Sequence, residues 1–459
     1  MRQINGMLGD EMESTQCSGP VNRREFIRVG SLVVGGLSLA QVMEGRAAMG
    51  ATRRDTSVIL LYLNGGPSHM ETYDMKPEAP LSYRSVFPAI KTNVPGIELC
   101  ELFPLQAKLA DKFAIVRSCH HTMASHSDGG IQVMTGKTPP VPDPTSQSKS
   151  AHPDFGHVAS KFRGPRMPEM PAYVSNLGRV GHTRPNYIGI EHGSLTSNGN
   201  SPLGRMATGR DGEGLNDRRL LLKQFDNFRH GLDLHGNVAG TDGFRQQAFD
   251  MLTSARAAAA FDLSKESDAV RDRYGRHSWG SSCLLARRLA EAGTAVTTVS
   301  FNTPKSGQEF TNWDDHILNS RRPGHFARYM KVRLPYMDQA LSALIEDIYR
   351  RDLDQRIMVV VMGEFGRTPR LSSSKDGTGR NHWPQAYSVL FSGGGLRTGQ
   401  IVGATNSKGE FPAHRPYTPE DVLATMYQHL GIDHRAHLTD YSGRPIQILA
   451  NGNPIPELI

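Results

Sequence analysis

Cysteine is nearly missing from this chain, with 4 residues in 459. One, Cys17, falls in an amino-terminal leader, which leaves Cys100, Cys119 and Cys283. Three thiols permit one disulfide at most and exclude both a disulfide scaffold and a cysteine-rich zinc site. No CxxCH haem signature and no glycine-rich dinucleotide fingerprint is present, which argues against a redox protein. Nor is there a run of five or six basic residues. The net charge of +7 is scattered singly and in pairs, so it gives only weak support for an anionic partner and none for nucleic acid. What is plentiful is glycine (47), proline (28) and histidine (18). Turn formers and ligand-capable side chains in such numbers describe a loop-rich protein whose working residues sit between regular elements.

The leader reads as an address. Asn22-Arg23-Arg24-Glu25-Phe26-Ile27-Arg28 precedes the apolar stretch VGSLVVGGLSLAQV and then the small residues Gly45, Ala47 and Ala48. This is the order of a secretory signal, and its apolar part of about 15 residues falls short of the roughly 20 that span a bilayer. The paired arginines before a glycine-rich, weakly apolar core resemble a twin-arginine export signal. The expectation is that residues 1–48 are removed after passage through the twin-arginine translocase, leaving a periplasmic, cell-surface or secreted protein.

Beyond the leader, apolar runs bounded by turn residues predict buried strands at 57–63, 113–118, 171–176, 295–301, 356–363 and 386–394. Helical patterns lie at about 126–136, 244–260, 279–292, 329–352 and 418–430. The last opens with Thr418-Pro419-Glu420-Asp421, a cap followed by proline at the first helical position. Strands alternating with helices imply one sheet covered on both faces. The segments at about 137–170 and 179–240 read as long insertions over that sheet, within a single domain spanning 55–450.

Four strand-end loops carry more ionisable side chains than packing requires, and open α/β sheets place their sites at strand ends. After the first strand, Asn64-Gly65-Gly66-Pro67-Ser68-His69-Met70-Glu71-Thr72-Tyr73-Asp74 offers His69, Glu71 and Asp74 to a divalent ion, unless Asp74 simply caps a local helix. After 113–118, Ser125, His126 and Ser127 stand where a helix begins. A hydroxyl or imidazole there meets the N–H groups and dipole that favour an anion, although either serine could equally be a plain cap. Asp314 and His316, in Asn312-Trp313-Asp314-Asp315-His316, have a spacing compatible with one metal ion. The fourth loop combines Glu364, Arg367 and Arg380 with His382: a carboxylate, an imidazole and two guanidiniums suited to a phosphate or sulfate. Those arginines could instead be structural partners of Glu364 or of a helix terminus.

Taken together, GGPSHxxTxD, SHSxGxxxxMTGKTP, WDxH, GEFGRTP, GRNHWP, FSGGGLRTGQIVGATNSKGE and YTPEDVLATMYQHLGID resemble the bacterial family catalogued as domain of unknown function 1501. That family is grouped with the alkaline-phosphatase and sulfatase superfamily. The resemblance implies a three-layer α/β/α sandwich around a central mixed, mostly parallel sheet, and one or two divalent ions of zinc, calcium, magnesium or manganese. It further implies that Asp314, His316 and His382 ligate the first metal, with Glu364 nearby, and that the helix before Met134-Thr135-Gly136 carries the nucleophile. The chain departs from the pattern at Asn64, Phe365 and Asn381. The absence of a Cys-x-Pro-x-Arg motif makes a formylglycine sulfatase an unlikely match.

Two functions follow. One is an exported metal-dependent hydrolase of phosphate or sulfate esters, including those of anionic polysaccharides, with a hydroxyl of Ser127 or Ser125 or a metal-bound water attacking, His126 beside them as base or ligand, and Arg367 or Arg380 on the equatorial oxygens. The other is an exported, non-catalytic protein that binds an anionic glycan through a degenerate site.

Overall fold

The computed structural model describes residues 55–176, 183–196, 254–317, 326–375 and 377–459. The expected signal segment 1–48, residues 197–240 of the second insertion and the start of the expected helix at 244–260 lie outside the described residues.

All six residues of β1 (Ser57–Tyr62) are buried. Such a run has no polar face to turn to water and is stable only inside a sheet covered on both sides. The other strands of the main sheet are β2 (Phe113–Cys119), β3 (Tyr173–Ser175), β4 (Leu195–Thr196), β5 (Val296–Ser300), β6 (Ile357–Met362), β7 (Tyr387–Gly393) and β8 (Gln400–Val402). Their spatial order is β8-β2-β7-β6-β1-β5-β3-β4. β1 runs parallel to β5 and β6, with Leu60 beside Thr298 and Val360, while β7 runs antiparallel to both of its neighbours, β2 and β6. The sheet is therefore mixed and mostly parallel.

Alternation along β1 divides the core. Ile59, Leu61 and Leu63 join the cluster under α3 (Ser278–Ala292) and α4 (Phe326–Arg350). Val58, Leu60 and Tyr62 join the opposite cluster, under α1 (His126–Thr135), α2 (Phe155–Phe162) and α5 (Pro419–His429). The two clusters and the sheet between them make a three-layer α/β/α sandwich. The expected start of α5 is present, with the Asp421 carboxylate accepting from the Thr418 N–H at 2.8 Å. Cys100, Cys119 and Cys283 are all free and buried, so the one disulfide the sequence permitted does not form among them.

The antiparallel strand decides where the chemistry collects. Parallel strands β1, β2, β5 and β6 all end at one edge, and β7 begins there, with Tyr387 paired to Cys119 at the end of β2. The segment leading into β7 thus meets the four strand-end loops. Leu60 is fully buried in the middle of β1. Leu60→Ala is expected to cost about 2–5 kcal/mol, read as a lower urea midpoint with an unchanged slope.

Candidate metal centre

The turn after β1 is made by Gly65 and Gly66, with φ of 110° and 78°. A Cβ on Gly65 would lie 2.5 Å from the Asp314 nitrogen, so only glycine lets this turn pass the loop that carries Asp314. The Trp313 N–H donates to the Asn64 carbonyl at 2.8 Å, and Asn312 Oδ1 accepts from the Asp314 N–H at 3.0 Å. On the other side, Gly129 of α1 leaves room for the Glu364–Phe365 step: a Cβ there would sit 3.1 Å from the Phe365 ring and 3.3 Å from Glu364 Cβ. Helix and strand end are therefore pressed together, with His126 in the first turn of α1 facing the carboxylates.

Asp314 is the centre. Its Oδ2 lies 3.2 Å from His126 Nε2 and 3.2 Å from His316 Nε2, and its Oδ1 lies 3.0 Å from His382 Nε2 and 2.6 Å from an Arg367 nitrogen. Ligand atoms of His126, Asp314 and His382 all lie within 4.8 Å of one another. Two of these imidazoles are oriented from behind: His126 Nδ1 is 2.7 Å from Glu364 Oε1, and His382 Nδ1 is 2.7 Å from the Ala124 carbonyl. An acceptor on Nδ1 fixes the tautomer whose free Nε2 can bind a metal, which is the usual support of a histidine ligand. Glu364 is almost wholly buried; its Oε1 also accepts from the Gly65 N–H at 2.7 Å, while Oε2 has no hydrogen-bond partner among the described residues. Buried carboxylates, oriented imidazoles and an unsatisfied buried oxygen fit a divalent cation.

Electrostatics agree. Burial opposes ionisation of Asp314, but His126, His316, His382 and Arg367 hold its carboxyl far below the usual carboxylate range. Burial likewise disfavours a charged His126, and the Asp314 and Glu364 carboxylates overturn it, raising its pKa to about 9. Burial pushes the Tyr62 phenol well up, and the charge of Glu364 adds to this. His121 goes the other way: buried and lowered to about 4, it stays neutral, accepting from the Met123 N–H and donating to the Glu364 carbonyl.

The structure thus brings Asp314, His316, His382, Glu364 and His126 together, and it corrects the other expectations. Ser125 is the plain cap of α1, its hydroxyl accepting from the Asp128 N–H at 3.3 Å. Ser127 is buried, with its hydroxyl donating to Asp128 Oδ1 at 3.4 Å, and among the described residues neither serine hydroxyl hydrogen-bonds to the carboxylate–imidazole group. His69 is not among the ligands: it is buried, with Nε2 3.0 Å from the Gly409 carbonyl. Asp74 pairs with Lys76 at 3.1 Å and accepts from the Thr405 hydroxyl. Arg367 and Arg380 are both wholly buried, and the anions they hold are the protein's own carboxylates Asp314 and Glu71. Arg380 pairs with Glu71 at 2.8 Å and donates to the Thr368, Pro369 and Arg84 carbonyls.

Sequence reasoning missed Arg333. It is wholly buried in α4, pairs with Asp315 at 2.7 Å, donates to the Asn312 carbonyl at 2.8 Å and lies 4.5 Å from the Trp313 ring. One arginine on the buried stripe of a long helix was the available signal. The Ala124 carbonyl and Gly65 N–H are backbone groups and left no mark in residue identity.

A family model described as protein of unknown function (DUF1501) matches residues 55–459. The chain belongs to this family. None of the curated proteins matches the sequence. Among solved structures, the chain is similar to the PsFucS1 sulfatase from Pseudoalteromonas sp., with 12% identity and a TM-score of 0.39 over 90% of this chain and 72% of that one. It is also similar to the lipoteichoic acid synthase LtaP from Listeria monocytogenes, with 9% identity and a TM-score of 0.36 over 87% and 75%. The phosphonate monoester hydrolase SpPMH from Silicibacter pomeroyi gives 11%, 0.35, 87% and 76%. Likeness at this level carries no argument about activity, and the fold stands on the sheet itself.

Two outcomes test the site. Arg380→Met strands a buried Glu71 and is expected to destabilise the family member by about 3–5 kcal/mol in chemical unfolding. The raised His126 pKa contributes stability that is complete below the ordinary value of 6.5 and lost as pH rises through about 9. Metal-free protein should therefore show a urea midpoint that falls across that window, with a shallower fall in His126→Gln.

Proposed function

We propose that this protein is an exported, metal-dependent hydrolase of phosphate or sulfate esters, anionic glycans included, and that it works in the periplasm, at the cell surface or outside the cell. The observation that carries this reading is the convergence of His126, Asp314 and His382 at the strand-end edge, with both imidazoles oriented from Nδ1. Those three residues would hold the ion, with Glu364 behind His126 and His316 beside Asp314. A divalent ion in such a place supplies a Lewis acid for the ester oxygen.

The rest of the chemistry is the chain's own. Glu364 and the Ala124 carbonyl keep the two imidazoles in register. His316, 3.2 Å from Asp314 Oδ2 and outside the converging triad, is the further imidazole that could join the ligands. With both serine hydroxyls engaged with Asp128, water is the nucleophile this reading calls for. The relation to the alkaline-phosphatase and sulfatase superfamily, suggested by the sequence motifs, supports the same reading. The twin-arginine-like leader supports export, with the translocase as partner.

One observation favours the second reading, a non-catalytic protein that binds an anionic glycan: the two arginines expected to steady a transferring group are spent inside the protein. Turnover separates the two. Metal-loaded protein assayed on chromogenic sulfate and phosphate esters is expected to turn over, and Asp314→Ala or His382→Ala should lose the metal together with at least about 100-fold in kcat/KM. Ser127→Ala should stay near wild type. Protein with no bound metal and no turnover on any ester would rule the hydrolase out.

A further inference from the structure

Arg367 is the strongest feature that the proposed function leaves unexplained. Its guanidinium donates to the Gly66 carbonyl at 2.8 Å, to the Arg380 carbonyl at 3.2 Å, to the Gly65 carbonyl, and to Asp314 Oδ1 at 2.6 Å. One buried side chain therefore ties together the turn after β1, the Asp314 loop and the segment leading into β7. Packing alone does not ask for a guanidinium at this place. A buried cation satisfied by three carbonyls needs one anion, and the anion it takes is the carboxylate at the centre of the site.

The contacts divide the two oxygens of Asp314. Oδ1 is held by Arg367 and faces His382; Oδ2 faces His126 and His316. We propose that Arg367 is a positioning residue that withholds Oδ1 from a bound ion, so that Asp314 offers a single oxygen and the site selects ions content with imidazole nitrogen and few carboxylate oxygens. Calcium needs six to eight oxygens and favours bidentate carboxylates, and magnesium demands an oxygen octahedron. Zinc and its transition-metal neighbours accept imidazole with one carboxylate oxygen. The inference rests on the metal-dependent reading and goes past it, by assigning a residue that sets how Asp314 is used and which class of ion it takes.

The test needs no substrate. Full-length protein stripped of metal is titrated with zinc and with calcium by calorimetry, for wild type, Arg367→Gln and Arg367→Lys, with melting temperatures recorded for each. Wild type is expected to bind zinc at least about 100-fold more tightly than calcium. In Arg367→Gln the ratio should shrink about tenfold, since an outer partner of a ligand typically changes affinity by about that much, and Arg367→Lys should fall between the two. X-ray absorption on the zinc-loaded wild type should show mainly nitrogen neighbours and a monodentate carboxylate, and this readout holds even if a variant fails to fold. An unchanged ratio in folded Arg367→Gln, or a bidentate Asp314 in the wild type, overturns the proposal while leaving the hydrolase reading in place. Wild type that binds neither ion overturns both.

Discussion

The site depends on one buried carboxylate that is approached from four sides. Asp314 accepts from a guanidinium and faces three imidazoles: His126 from the start of α1, His316 from its own loop, and Arg367 and His382 from the segment between β6 and β7. A charge so enclosed is stable only while its partners stay in place, because removing a neighbour leaves an anion without compensation in a poorly polarisable medium. The loops are therefore held less by their own packing than by their shared obligation to Asp314. The glycines at 65 and 66, which let one turn slip past the backbone of Asp314, serve the same end.

Topology makes that enclosure feasible. In a wholly parallel sheet, every strand would enter from the far edge and leave at the site edge, and each return would need a crossover. β7 enters at the site edge instead, which delivers His382 from the segment before a strand and adds a side chain that a set of strand ends alone would not supply. Much of this was legible in the sequence. The apolar runs at 57–63 and 356–363 have one stable home, an interior strand, and their ends point to Asn64 and Glu364 without further help. Asp314, His316 and His382 stood out less by residue type, since Asp-x-His is a common spacing, than by the motifs WDxH and GRNHWP that carry them.

The rest was not legible, for identifiable reasons. A serine before a helix offers the same atoms whether it caps or attacks, and only the position of Asp128 shows Ser125 to be a cap. Arg367 and Arg380 looked like anion grips because their partners are mostly backbone carbonyls, some of them distant in sequence, and no residue type announces a carbonyl. His69 and Asp74 share a loop with Glu71, yet that loop curls so that all three are spent on neighbours. Spacing along a loop gives which groups travel together, not which way they face.

The three free, buried thiols bear on the order of events in the life of the chain. With these three thiols unpaired, the described fold needs no oxidant to be completed and can form in a reducing compartment as readily as in an oxidising one.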